Sequence, residues 1–232
     1  MARLISDLRI ERIRANLAEV HRELEAAVHR SPVTRAGAEP SPGLRRVEVL
    51  AAIKYIASDD LPLLAEAGIE LVGENRAQEL VAKREAHGEL FEWDFIGQLQ
   101  SRRVREIVSH VRLIHSVASD SALRELERHA QQARPGLQIL VEVNIAGEED
   151  KAGVAPERLG EFIARSPVPV AGLMTMPPLA EQAEQSRRWF GALRELADEH
   201  RLAHLSMGTS QDYLVAAEEG ATIVRIGTKL YD

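Results

Sequence analysis

Lys54 closes the apolar run Val49-Leu50-Ala51-Ala52-Ile53. An amine at the end of such a run forms Schiff bases with aldehydes once desolvation draws its pKa toward neutrality. A lysine that only snorkels from a rim to solvent leaves the same trace. The position stands out because only four of the 29 basic residues are lysines, at Lys54, Lys83, Lys151 and Lys229. Two further stretches, Leu205-Ser206-Met207-Gly208-Thr209-Ser210 and Arg225-Ile226-Gly227-Thr228, combine hydroxyls, glycines and a cation in the manner of an anion cradle. Helix capping accounts for Ser210 alone but not for both stretches together. An imine-forming amine, a phosphate cradle and an arginine jointly point to a phosphorylated aldehyde as ligand, of which pyridoxal phosphate is the common one.

Such groups converge only if the chain between them brings them to one place. Short apolar runs fall at residues 47–53, 70–72, 93–96, 113–115, 138–143, 168–173, 203–205 and 222–226, and helical patterns fall between them at 59–67, 76–87, 101–111, 120–134, 156–165, 180–200 and 211–219. A helix in every connection implies parallel strands, because a parallel neighbour requires a crossover. Eight units within about 185 residues fit a closed (β/α)8 TIM barrel better than an open sheet. In that fold the site forms at the carboxyl ends of the strands. The residues expected there are Lys54, Glu74-Asn75, Gly97-Gln98, Ser116, Asn144, Met174-Thr175, Ser206 with its loop, and Arg225 with Gly227-Thr228.

Residues 8–28 carry Ile10, Ile13, Leu17, Val20, Leu24 and Ala27 at steps of three and four, which predicts one amphipathic helix. Pro32, Pro40, Pro42, Gly37 and Gly43 predict a loop over residues 30–45. The expected division is therefore a helix and loop over 1–45 packed on a barrel over 46–232. The chain stops soon after strand eight, so the usual eighth helix is expected to be missing or replaced, with the first helix covering the gap. The absence of cysteine excludes a disulfide framework, an Fe–S cluster, a thiolate zinc site and a thiol nucleophile. His200 and His204 share a zinc-like spacing, but the second sits in a strand pattern, so no metal is expected. A charged amino terminus, no run of about twenty apolar residues and a net charge of -7 argue for a cytoplasmic protein without membrane or nucleic-acid partners.

Five ordered segments carry a family resemblance: Gly73-Glu74-Asn75-Arg76, Phe95-Ile96-Gly97-Gln98-Leu99-Gln100-Ser101, Gly172-Leu173-Met174-Thr175-Met176-Pro177-Pro178, Leu205-Ser206-Met207-Gly208-Thr209-Ser210 and Val224-Arg225-Ile226-Gly227-Thr228. From about Val47 to Tyr231 the chain resembles the YggS/PROSC family of pyridoxal phosphate homeostasis proteins, which are similar to the barrel domain of alanine racemase. The resemblance implies a single barrel of the alanine racemase type with an extra amino-terminal helix and no second domain. It also implies pyridoxal 5'-phosphate held as a covalent aldimine on Lys54. Ser206, Gly227 and Thr228 would hold the phosphate with Ser210 nearby, Arg225 would face the pyridine nitrogen, and Asn75 and Met207 would line the ring. Asn144 and Met174 would add to the wall. A cation at the pyridine nitrogen weakens the ring as an electron sink.

The implied role is cofactor buffering or delivery without catalysis, by a monomer, with pyridoxal phosphate-dependent apoenzymes as candidate recipients. Ile53, Tyr55, Gln98, Thr209 and Lys229 depart from the family pattern, and Lys229 adds a second amine near the phosphate. One alternative is an amino-acid racemase, which would need a second base from another domain. Tyr55, Tyr213 and Tyr231 are the phenols available. The other is a class I Schiff-base aldolase, for which Glu74 is the carboxylate the strand ends suggest.

Overall fold

The computed structural model describes residues 4–5, 7–31 and 47–232. The proline- and glycine-rich loop expected over 30–45 therefore lies, beyond Ser31, outside the described residues. Eight strands, β1 (Glu48–Ala52), β2 (Leu71–Glu74), β3 (Glu92–Phe95), β4 (Leu113–Val117), β5 (Gln138–Glu142), β6 (Val170–Met174), β7 (His204–Thr209) and β8 (Ile223–Ile226), follow one another around a closed barrel. Every neighbouring pair is parallel, and Leu50 of β1 aligns with Arg225 of β8 at the closure. The helices are α1 (Ile10–Arg30), α2 (Leu61–Glu66), α3 (Ala77–His87), α4 (Val104–Ile107), α5 (Asp120–His129), α6 (Leu159–Ala164), α7 (Arg187–Glu199), α8 (Tyr213–Glu218) and α9 (Thr228–Tyr231).

Alternation along each strand divides two apolar layers. Leu50, Leu71, Leu113, Leu140, Ala171, Met174 and Ile223 fill the barrel interior. Ala51, Val72, Ile114, Val141, Leu205, Met207 and Val224 face the surrounding helices. Both layers are close to fully buried.

Helix α7 starts later than the pattern over 180–200 suggests. Gln182 and Gln185 form a capping box on a 3-10 turn over Ala183–Ser186, and the helix follows it from Arg187. The helix after β8 is the single turn α9, and α1 lies against α8 and α9. Ile13, Val20, Leu24 and Ala27 form its buried stripe. Polar ties complete the contact: Lys229 Nζ reaches Glu19 at 2.9 Å and Glu23 at 3.3 Å, Tyr213 donates to Glu23, and Asn16 donates to the Leu230 carbonyl. Among the described residues no helix is long and apolar enough to cross a membrane.

Candidate functional site

Strand parity delivers the candidate residues to the carboxyl mouth. Leu50 faces inward, so Ala52 and Lys54 extend the same row. Lys54 lies in a turn just past β1 and is exposed, with Nζ 4.6 Å from the centre of the Tyr55 ring. The desolvation expected from its apolar run is therefore not what the fold supplies. That run turns Ala51 and Ile53 toward the helices, while Lys54 opens to solvent at the mouth.

The backbone before Lys54 is nevertheless tied down. Lys83 on α3 donates to the Ile53 carbonyl at 3.0 Å and to Glu74 Oε2 at 2.7 Å. Glu74 Oε1 accepts the Asn75 amide at 2.6 Å and the Arg76 amide at 3.2 Å. Both side chains of this pair are almost wholly buried. Glu74 is thus a structural carboxylate facing α3, not a base beside Lys54. Asn75 follows it at the mouth, and its side-chain oxygen is buried without a partner among the described residues.

The corner formed by β7 and β8 carries the cradle residues. The Gly227 amide donates to Ser210 Oγ at 3.2 Å, which joins the two loops. Thr228 is exposed beside them. Gly208 requires its glycine: its φ is +90°, and a Cβ there would stand 2.6 Å from the Ala216 Cβ. Thr209 caps inward, with its amide donating to Asp212 Oδ1 at 2.8 Å. Gly227 leaves space toward β1, where a Cβ added to it would come no closer than 3.9 Å to the Ala52 Cβ. Met207 points into the layer between sheet and helices, so its side chain does not line the mouth. Asn144 is bonded to its own loop, exchanging hydrogen bonds with the Glu148 backbone. Met174 is an interior packing residue. Lys229 is directed at α1, away from the cradle.

Ser206 is wholly buried beneath the corner rather than open at it. Its hydroxyl accepts from Arg225 Nη1 at 2.6 Å and stands 2.8 Å from His115 Nδ1. Arg225 also donates to the Ser206 carbonyl at 2.8 Å and the Thr175 carbonyl at 3.0 Å, and Nη2 lies 2.9 Å from Met176 Sδ. Burial draws Arg225 down to about 10, so it remains a cation at neutral pH, with Asp212 and Glu142 favouring the charge. Glu142 shares the inward parity of Leu140, and burial pushes its carboxyl upward while Arg225 pulls it back.

Sequence reasoning passed over Asp94, Glu142 and the Glu74–Lys83 pair, and it expected His115 at strand four to pack beside the cofactor or a neighbouring loop without foreseeing its bonds to Asp94 and Ser206. The signal was present: Asp94 and His115 are charged or polar residues at inward positions of apolar strands, which fold to 0% exposure. Among the described residues no group of three or more histidines and carboxylates is placed to hold a metal ion.

Known proteins give this geometry a context. The family described as alanine racemase, N-terminal domain, matches residues 57–232, starting just beyond Lys54. The pyridoxal phosphate homeostasis protein of Aquifex aeolicus is 43% identical over 195 residues, covering 79% of this chain and 86% of that protein. Its namesake from Pseudomonas aeruginosa is 36% identical over 227 residues, covering 94% of each. The solved structure of PipY from Synechococcus elongatus, with PLP bound, superposes with a TM-score of 0.74 at 29% identity, covering 95% of this chain and 100% of that one.

Proposed function

The chain belongs to the family of pyridoxal phosphate homeostasis proteins, built on the alanine racemase N-terminal domain, and from that premise we propose that it binds pyridoxal phosphate at the carboxyl mouth through the Lys54 amine. One observation carries the reading. Leu50 and Arg225 are aligned across β1 and β8, and Gly227 stands beside Ala52, so the row ending in Lys54 adjoins the loop holding Gly227 and Thr228. An amine and an anion cradle on adjacent strands match the two ends of a phosphorylated aldehyde.

The residues fit that ligand. Ser210 Oγ accepts from the Gly227 amide and keeps its own proton to donate, so with the Thr228 hydroxyl it presents donors for a phosphate. Asn75 offers an orphaned amide oxygen to a polar ring substituent. The Arg225 guanidinium faces the ring nitrogen in this reading, while Ser206 serves Arg225 rather than the phosphate. When bound, the cofactor would supply an electron-accepting ring, and a cation at its nitrogen restrains that capacity. A role in holding and handing on the cofactor without catalysis, as a cytoplasmic monomer serving apoenzymes, suits this restraint.

Most of the bases the rival readings would use are engaged elsewhere in the fold. Glu74 is neutralised by Lys83, which removes the carboxylate an aldolase would use. Tyr213 is bonded to Glu23 and Tyr231 is buried, which leaves Tyr55, its ring centre 4.6 Å from Lys54 Nζ, as the phenol a racemase reading would have to use. The test is to add pyridoxal phosphate to the purified protein, record the visible band, reduce with borohydride and map the modified peptide. The expected product is a phosphopyridoxyl group on Lys54. An adduct on Lys229, or none, overturns the assignment. Amino-acid racemisation that disappears in Lys54→Ala overturns the non-catalytic role.

A further inference from the structure

Four side chains from four strands, Asp94, His115, Ser206 and Arg225, form one continuous polar file inside the barrel, and Arg112 ties its Asp94 end to Glu48. Arg112, just before β4, binds Glu48 of β1 through both terminal nitrogens, at 2.9 and 2.8 Å, and Asp94 of β3 at 2.9 Å through Nε. Asp94 Oδ2 lies 3.1 Å from His115 Nε2, His115 Nδ1 lies 2.8 Å from Ser206 Oγ, and Ser206 Oγ lies 2.6 Å from Arg225 Nη1. Asp94, His115 and Ser206 are buried. We infer that Asp94, His115 and Ser206 are positioning residues that hold the Arg225 guanidinium at the barrel mouth by a hydrogen-bond file of fixed direction.

The direction follows from donor and acceptor inventory. A guanidinium can only donate, so Ser206 Oγ accepts from Arg225 and its proton must turn elsewhere. The facing atom is His115 Nδ1, which accepts only if bare. Nε2 then carries the proton and donates to Asp94, a carboxylate that can only accept. Every member is satisfied in one arrangement. A second proton on His115 would turn an N–H toward Ser206 and push the hydroxyl proton against the guanidinium. The charges facing His115 agree with the neutral form: burial lowers its pKa most, Arg225 and Arg112 act in the same sense, and Asp94 opposes them. Asp94, His115 and Ser206 have the connectivity of a nucleophilic triad, but a fully buried hydroxyl that already accepts from a cation cannot serve as a nucleophile.

The consequence rests on the cofactor reading above. A guanidinium fixed beside the ring nitrogen disfavours a proton on the cofactor's imine nitrogen, because like charges repel. Releasing Arg225 removes that effect. Two measurements separate the file from the cofactor. Nitrogen-15 NMR of the protein without added cofactor, with His115 assigned by comparison with His115→Gln, should show Nε2 protonated and Nδ1 bare at neutral pH. Titration of His115 near the ordinary histidine value, or a proton on Nδ1, overturns the file.

The second measurement is the pH midpoint of the visible band after loading with pyridoxal phosphate, with borohydride trapping on Lys54 as the loading control. In Ser206→Ala, where Arg225 keeps its bonds to the Ser206 and Thr175 carbonyls but loses the hydroxyl that fixes its direction, the midpoint should rise by a few tenths of a pH unit up to about one, while Ser206→Thr, which keeps the hydroxyl, restores it. An unchanged midpoint in a trapped Ser206→Ala sample overturns the positioning of Arg225. Failure of the wild type to form the adduct overturns the cofactor reading, and the NMR result then decides the file alone.

Discussion

The rim of the barrel mouth and the polar layer beneath it are built on opposite terms. At the rim Lys54 and Thr228 are exposed, Ser210 and Gly227 are half-buried, and the Asn75 oxygen has no partner among the described residues. Beneath, Glu74 is matched to Lys83, and Asp94, His115, Ser206 and Arg225 are matched in series, all of them buried. The rim keeps bonding capacity for something else, whereas the layer below has used its own. An orphaned buried polar group costs free energy unless a ligand satisfies it, and a paired one stabilises the fold. Substitutions in the two regions should therefore separate cleanly into effects on binding and effects on stability.

The largest expected effect lies at the rim. Lys54→Ala should abolish the visible band and the borohydride adduct, keep weaker binding through the phosphate donors, and leave stability within about 0.5 kcal/mol of wild type. A retained band would identify another amine, and a large loss of stability would break the contrast from the rim side. Next comes the layer beneath. Lys83→Met leaves Glu74 charged and unpaired and should cost about 3–5 kcal/mol in urea unfolding. The double variant Lys83→Met with Glu74→Gln should recover most of that loss. A single variant within about 1 kcal/mol of wild type would mean that the pair does not hold the Ile53 carbonyl, and the two regions would lose their distinction.

The two regions were unequally legible in the sequence. Eight strands and their order could be read because apolar runs and helical patterns alternate without interruption, and Lys54, Asn75, Ser210, Gly227 and Thr228 could be placed at strand ends by that count alone. Strand boundaries followed within a few residues. Ser206 and Met207 were misjudged because residues on a strand alternate faces: Met207 turns to the helices and Ser206 turns inward below the rim. The file from Asp94 to Arg225 joins residues up to 91 positions apart between consecutive members. Spacing along a chain does not reveal such contacts; only the closed sheet does. Lys54 illustrates the converse limit, since the apolar residues preceding it face other layers and do not desolvate it.

His115 offers a smaller, pH-dependent contrast. Its pKa is lowered in the folded protein by burial, so below the ordinary histidine value the unfolded chain takes up a proton that the native state refuses. The stabilisation is complete above about pH 6.5 and declines as pH falls toward the folded value, by about 1.4 kcal/mol per pH unit. His115→Gln should be less stable at neutral pH but lack this acid slope. Parallel stability curves for the two proteins between about pH 6.5 and 5 would show that His115 takes its proton in the native state.

The smallest effect is expected at the opposite end of the barrel, where Glu92 opens β3 and pairs with Arg134 at 2.8 Å. The hydrogen bond from Arg134 holds the Glu92 carboxyl below its usual range against a weaker effect of burial. Both side chains are substantially exposed, so solvent screens the pair and Glu92→Gln should cost less than about 1 kcal/mol at neutral pH. A carboxylate with a lowered folded pKa contributes only above its unfolded value. The difference between variant and wild type should therefore vanish as pH falls through about 4 and below, and should shrink in high salt. A cost comparable to that of Lys83→Met would show that pairing itself stabilises this barrel wherever it occurs. A negligible cost here beside a large one there assigns the effect to burial, which is the property that divides the layer beneath the mouth from every exposed ion pair on the barrel.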